Sequence, residues 1–242
     1  MKINLNIPQT WDDLTPKQLI KVAKLLTKTQ PGKLQLVLLI KILAGSKWYT
    51  VKTNAKLVLL FLNVPLSELK NYVDFIYTSN NRSKFIGNLK IKGTTYYAPM
   101  DRIINLTADQ LAAMLDLNNK YIDTKNIEYL QYLTAVIYRK DKAPEYDKLN
   151  LDKEVAPFKK LSHYKLIAIH IAVSGCVQVL AKRFPKVFNG SSNKKSKSNY
   201  GFGKVILQMT RGDLSKHKSI KNVNCYTFLE QFQTDITQQP KK

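Results

Sequence analysis

The chain has 242 residues, of which 44% are hydrophobic, and 39 Lys+Arg face 17 Asp+Glu for a formal net charge of +22. That length supports one large domain or two small ones and buries enough surface to need no disulfide or metal staples. The hydrophobic content is that of a folded chain, while the charge favours polyanions or acidic partners and says nothing of fold.

The opening MKINLNIPQT is a short extended arm without the apolar core of a secretory signal. Thr15 with Pro16 predicts a helix start, hydroxyl cap followed by Pro at the first helical position. Trp11 and Leu14 are expected to fold back on its first turn. Leu19, Ile20, Ala23 and Leu26 form the expected buried stripe, and Lys17, Lys21, Lys24 and Lys28 a solvated face. After the break at Gln30-Pro31-Gly32, a second helix runs from Leu34 to Ala44 and stops at Gly45. Residues 55–62 and 66–77 read as two more helices divided by Pro65. Leu57 to Leu62 contains no polar residue, which suits a buried strand as well as a helix; its neighbours favour helix.

From 84 to 98 the pattern changes. Alternation, β-branched and aromatic residues, and the Lys92-Gly93 turn predict a small β-hairpin ended by Pro99. A lone hairpin is marginal and must lie on the helical body or pair with another chain. Thr107 and Gln110 have capping-box spacing and open a helix over about 108–121. Asp123-Thr124 is expected to open the next, over about 125–138, with Ile127, Leu130, Leu133, Val136 and Ile137 inward. The run 139–160 reads as a polar, solvated loop whose acids Asp141, Glu145, Asp147, Asp152 and Glu154 are interleaved with lysines and do not form a cation site.

Ser162 to Phe188 is the longest helical pattern, capped by Ser162 and stopped by Pro185. Its polar residues His163, His170, Ser174, Gln178 and Lys182 make one narrow stripe. A helix apolar on most sides is expected to be a post around which others pack, and the stretch reads as too short and too striped for a membrane span. The segment 189–199, NGSSNKKSKSN, is a basic flexible linker. Beyond it, Tyr200–Arg211 and 224–237 predict a helical hairpin. The last helix presents Cys225, Phe228, Leu229, Phe232 and Ile236 as its apolar face. The fold class is therefore mainly α, a multi-helix bundle with a hairpin insertion at about 84–98. The expected domains are 1–188, the linker 189–199, and a C-terminal segment 200–242. No repeat at solenoid periods is present.

Catalytic chemistry finds no set of residues to carry it. His163 and His170 lie seven apart without the glutamate of a zincin helix. Cys176 and Cys225 have no metal or disulfide spacing, and Cys176 reads as a core residue of a reducing compartment. Gly201-Phe202-Gly203-Lys204 lacks the upstream Gly, the following Ser/Thr and the strand of a phosphate loop. No metal, cofactor or enzymatic role is expected.

Charge carries the strongest signal. Between Lys182 and Lys221 eleven basic residues, Lys182, Arg183, Lys186, Lys194, Lys195, Lys197, Lys204, Arg211, Lys216, Lys218 and Lys221, meet one acid, Asp213. The first eight are candidate polyanion contacts, and Tyr200 and Phe202 are placed to stack on bases. A lysine-rich linker has the same composition without that role, and no nucleic-acid module signature accompanies it.

Three stretches taken together resemble a known family: IPQTWDDLTPKQLIKVAKLL near the start, LTAVIYRK at Leu133–Lys140, and Phe158–Phe188 ending in LAKRFPKVF. In that order and spacing they are similar to phage and prophage proteins of Bacteroidota that look like tail assembly chaperones of long-tailed phages. The resemblance covers about residues 3–240, and its motifs are caps, apolar faces and a Pro stop. It implies a helical protein that binds the tape-measure protein, or another tail protein, and keeps it soluble in the host cytoplasm until the tail tube assembles. Retention in the virion and a homo-oligomer are left open, and no membrane partner is implied. Trp11, Trp48, Tyr49, Tyr96 and Tyr97 lie outside the strongest core patterns and are candidate partner-binding residues. The Lys-rich linker departs from the less basic surfaces of that family and keeps a basic virion protein or a nucleic-acid-associated protein as the alternative.

Overall fold

The structure, a computed structural model, describes residues 5–28, 32–47, 49–78, 80–140, 150–188, 202–210 and 213–238. It is mainly α-helical with one two-stranded antiparallel hairpin among the described residues. The chain gathers into two compact units, Met1–Arg82 and Ser83–Lys242. The expected linker at 189–199 lies outside the described residues.

The first unit opens with a 3-10 turn, Trp11–Asp13, followed by α1 (Pro16–Lys28), α2 (Lys33–Leu43), α3 (Val51–Asn63), α4 (Leu66–Leu69) and α5 (Phe75–Thr78). Trp11 and Leu14 do fold back, each 3% exposed, and the Arg82 guanidinium donates to the carbonyl oxygens of both. On α1 the buried residues are Leu19, Val22, Ala23 and Leu25. The stripe is thus rotated from the expected one, and Ile20 and Leu26 are half-buried. Apolar residues flank both sides of that stripe, so the position of α2 chooses its centre. Past α2, Gly45 takes φ +67°, which a side chain would strain. The Gly45 N–H donates to Ile42 O at 3.1 Å and the Ser46 N–H to Lys41 O at 3.0 Å. This pair of bonds is a Schellman stop. The helix expected over 66–77 is broken into α4, a 3-10 turn at Lys70–Tyr72, and α5.

In the second unit, β1 (Leu89–Ile91) pairs with β2 (Thr94–Tyr96). Lys92 and Gly93 both have positive φ, +48° and +81°, as a two-residue type I′ turn requires. The strands start at Leu89, later than the apolar alternation. The hairpin lies on helical elements of its own unit: Tyr97 and Arg139 exchange backbone bonds of 2.7 and 3.2 Å, and Tyr96 meets Phe158 edge-on at 4.8 Å.

The helices of this unit are α6 (Ala108–Thr124), α7 (Ile127–Ile137), α8 (Leu151–Glu154), α9 (His163–Arg183), α10 (Pro185–Phe188), α11 (Gly203–Met209), α12 (His217–Asn222) and α13 (Cys225–Gln238). Between α6 and α7, Lys125 takes the left-handed conformation and Asn126 Oδ1 accepts from the Glu128 N–H at 3.0 Å. Asn126, and not Asp123-Thr124, therefore caps α7. Ser162 occupies the N-cap of α9 with an extended backbone, but its hydroxyl makes no capping bond. The helix stops before Pro185, and that proline starts α10.

Two expectations are corrected here. The polar loop at 139–160 is not solvated throughout. In its described part, α8 and a 3-10 turn place Val155 and Phe158 in the core, each 1% exposed, and Arg139 grips both carboxylate oxygens of Glu154. Leu151, Val155 and Phe158 stand four and three apart, a helical spacing that the charges around them obscure. Second, α9 is long and apolar enough to cross a membrane, with a mean hydropathy of 1.6 over an 18-residue window. Half of that window is buried inside the fold, and Leu166, Ile169, Ala172, Val173, Cys176 and Leu180 face its neighbours. The burial is that of a core helix. Nor is α9 the sole post: α6 packs on α7, α9, α11, α12 and α13.

One device closes the main helix pair in each unit. In the first, the Thr15 N–H donates to Gln18 Oε1 at 2.9 Å and the Gln18 N–H to Thr15 Oγ1 at 3.3 Å, a capping box. The same Gln18 donates from Nε2 to Leu43 O at 2.8 Å, at the end of α2. In the second unit, Thr107 N–H donates to Gln110 Oε1 at 3.0 Å, and Gln110 Nε2 donates to Val136 O at 3.1 Å, at the end of α7. Leu-Thr-x-x-Gln-Leu stands at both places, 14–19 and 106–111. Gln110 is wholly buried and Gln18 only in part.

His170 lies between Asn118 and Tyr121 of α6. Its Nδ1–H donates to Asn118 Oδ1 at 3.0 Å, and its ring meets Tyr121 edge-on at 4.7 Å. Burial, aided by the charge of Lys125, lowers its pKa to about 4.

These contacts set two expected outcomes. Gln110→Leu loses the cap and strands a buried carbonyl, costing about 2–4 kcal/mol by urea denaturation, against about 1–2 kcal/mol for Gln18→Leu; small and equal losses would refute the device. For His170 the folded pKa lies below the unfolded one. Its contribution is present above the unfolded value of about 6.5 and is lost as pH falls towards the folded value, by roughly 2 kcal/mol at about pH 5. Urea midpoints across that range should show the decline, and His170→Gln should flatten it.

Candidate partner-binding groove

The site is built on α1, α2 and α3 of the first unit. On α1, Lys21, Lys24 and Lys28 are spaced three and four apart, so they stand on one face along two turns. Lys41 comes from α2 and Lys47 from the turn after its glycine stop. All five are exposed. They rim a groove of about 540 Å³ whose apolar lining is Leu25, Leu38, Ile42, Leu57, Val58 and Phe61, completed by Ser46 and Asn54. Among the described residues, no carboxylate lines it.

The turn that sets α3 against α2 is held by side chains. Ser46 Oγ donates to Asn54 Oδ1 at 2.5 Å, Asn54 Nδ2 donates to Lys47 O at 2.8 Å, and the Lys47 N–H donates to Thr50 Oγ1 at 2.8 Å. With α3 so placed, its run Leu57–Leu62 is covered on one side only, with Leu59, Leu60 and Phe61 half-buried. Leu57 alone is buried on α3, while Val58 is 56% and Leu62 76% exposed. An apolar helix is normally covered on most sides. Of the eleven large apolar side chains exposed among the described residues, seven fall in the first unit: Leu34, Tyr49, Val51, Val58, Leu62, Tyr72 and Tyr77. Val51, Val58 and Leu62 of these stand on α3, and exposed apolar side chains grouped on one helix make it a candidate contact surface.

The same unit has a second cavity, about 690 Å³, between the start of α2 and the α4–α5 segment. It is larger, but Asp74 lines it and the Tyr77 hydroxyl donates to Gln35 Oε1 at 2.8 Å. Burial raises the Tyr77 pKa and keeps it a donor. The lysine-rimmed groove has the more distinctive chemistry despite its smaller volume.

The aromatic candidates do not form one surface. Trp11 is a core residue, edge-on to Phe75 at 6.1 Å, and a partner could reach it only by opening the unit. Its mixed surroundings in the sequence, Thr10 and two aspartates, concealed this. Trp48 lies outside the described residues. Tyr49 is 57% exposed, with Lys47 Nζ 5.1 Å from its ring centre, at the mouth of the α2–α3 turn. Tyr96 and Tyr97 are half-buried in the second unit, engaged with Phe158 and Arg139. The sequence does not show the groove, because the α1 lysines have the pattern of a solvated face and nothing local marks Lys41 and Lys47. The signal present is the unbroken Leu57–Leu62 run.

The basic candidates also separate. Lys182, Arg183, Lys186 and Lys204 are exposed, and Lys194, Lys195, Lys197 and Arg211 lie outside the described residues. Arg183 pairs with Glu230 at 3.1 Å and covers the Tyr226 ring at 5.0 Å, while Lys186 Nζ donates to Thr237 Oγ1 at 2.9 Å. Both thus tie the α9–α10 corner to α13. Phe202, expected to stack on bases, instead lies among Phe188, Phe228 and Phe232 at 6.1–6.4 Å.

Cys176 and Cys225 are buried thiols, and burial pushes Cys225 up to about 12, far from a thiolate. No cluster of three metal-ligating side chains occurs among the described residues. No family model, curated protein or solved structure matches the chain.

If the α3 surface is held for contact and not for the fold, Val58→Ser and Leu62→Ser should each shift stability by less than about 0.5 kcal/mol in urea denaturation. Leu57→Ala, one residue away, should cost about 2–4 kcal/mol.

Proposed function

We propose that this protein is a phage tail assembly factor that acts by protein–protein binding, chaperone-like towards the tape-measure protein. The observation that carries the reading is the uncovered apolar helix α3 beside a lysine-rimmed groove. A tape-measure protein is long and helical and exposes apolar faces until a tube encloses it. A helical groove with an apolar floor is a common way to hold such a face. The three sequence stretches that resemble tail assembly chaperones support the same reading. The net charge of +22 adds to it by drawing acidic partners and speeding encounter.

The same charge favours a second reading, a basic virion or nucleic-acid-associated protein. The ties of Arg183 and Lys186 to α13 weigh against a wholly free basic surface there.

Co-expression with the long tail gene of the same phage module tests the proposal. The tape-measure protein should become soluble and co-purify with this protein. If it stays insoluble, and the purified protein instead shifts DNA with a steep salt dependence, the second reading replaces the first.

A further inference from the structure

We infer that the groove between α1, α2 and α3 is the docking site for an acidic amphipathic helix, one with an apolar stripe flanked by glutamates or aspartates. This rests on the protein-binding reading above and specifies where it acts and what chemistry it takes. The floor is apolar and includes Leu57, Val58 and Phe61, so it requires an apolar face. The rim is Lys21, Lys24, Lys28, Lys41 and Lys47, five positive charges on one groove, so it attracts negative charge. The α1 lysines sit at positions 21, 24 and 28. A ligand helix has the same repeat, and carboxylates spaced three and four apart along it meet them in register over about 10 Å. The lysines come from two helices, three from α1 and two from α2 and its turn.

The alternatives fit less well. Single-stranded nucleic acid needs ring faces for its bases, and among the described lining residues Phe61 is the one aromatic ring. A second copy of this chain would bring 39 basic residues against 17 acids to a rim that is already positive.

The test uses the full chain and a fluorescent synthetic helix of about 21 residues with a leucine stripe and glutamate flanks, read by anisotropy. Two control peptides replace the glutamates by lysines or the leucines by serines, and an oligonucleotide serves as competitor. The Glu/Leu peptide should bind, and either replacement should weaken it by at least about tenfold. The triple variant Lys21→Glu, Lys41→Glu, Lys47→Glu should lose at least about tenfold in affinity. Lys90→Glu, Lys153→Glu, Lys165→Glu, an equal charge change at exposed sites of the second unit, should lose much less. Val58→Ser leaves the rim intact and should weaken the peptide by itself, so the inference stays testable if the triple variant misfolds. Equal losses from both triple variants, an indifferent Val58→Ser, or full displacement by the oligonucleotide would overturn the inference. The two levels part cleanly. Capture of the tape-measure protein unaffected by the groove variants removes this site and leaves the proposed function. Peptide binding at the groove without any capture does the reverse.

Discussion

A glutamine that serves two helices at once is the constraint on which each unit depends. A helix start leaves N–H groups without partners and a helix end leaves carbonyls. Gln18 and Gln110 each use one side chain to answer both, accepting from the threonine that begins one helix and donating to the last turn of the next. The amide has an acceptor and two donors, whereas a carboxylate in the same box could accept but not donate. The capping box alone fixes a helix end; the second bond fixes the position of its neighbour. The leucines on either side of the box, Leu14 and Leu19, Leu106 and Leu111, are all buried, so the polar device sits inside apolar packing.

The two units spend that frame differently. In the second, α6 is covered by α7, by α9 and by the C-terminal helices, and the aromatic cluster around Phe202 seals one end. In the first, the α1–α2 pair is joined by α3, α4 and α5, of which α4 and α5 have four residues each. Only one of the helices after α2 is long, and its second half, Leu57–Leu62, has no polar residue. Such a unit has more apolar surface than it has helices to cover it, and the result is an open groove. Lysines on the exposed side of α1 then give that groove a sign. The proposed binding of an acidic helix rests on this imbalance, since such a helix would supply the missing cover and its carboxylates would answer the rim.

Much of the fold was legible because local chemistry dictated it. Thr15-Pro16, Gly45, Lys92-Gly93, Thr107 with Gln110, and Pro185 each require a particular backbone state or leave one possibility for a bond, and the structure uses all of them. The misses share one cause, which is dependence on a distant neighbour. Val155 and Phe158 were hidden in a charged run and became core once the hairpin and α7 lay beside them. Trp11 looked available and was claimed by Phe75 and by the turn that Arg82 anchors. Phe202 looked like a stacking platform for bases and was taken by three phenylalanines.

The groove shows the division most plainly. The sequence by itself determined that Lys21, Lys24 and Lys28 share a helical face and that Leu57 to Leu62 has no polar side, because the 3.6-residue repeat is a property of the backbone alone. It also determined several helix ends, those at Thr15, Gly45, Thr107 and Pro185, because caps are bonds between near neighbours. Which lysines face water and which rim an apolar floor was decided only in three dimensions. That depended on the Schellman stop at Gly45 and on the Asn54 side chain, which together set the turn from α2 into α3. The burial of a side chain is a property of what stands opposite it, and a single segment of chain carries no record of its opposite.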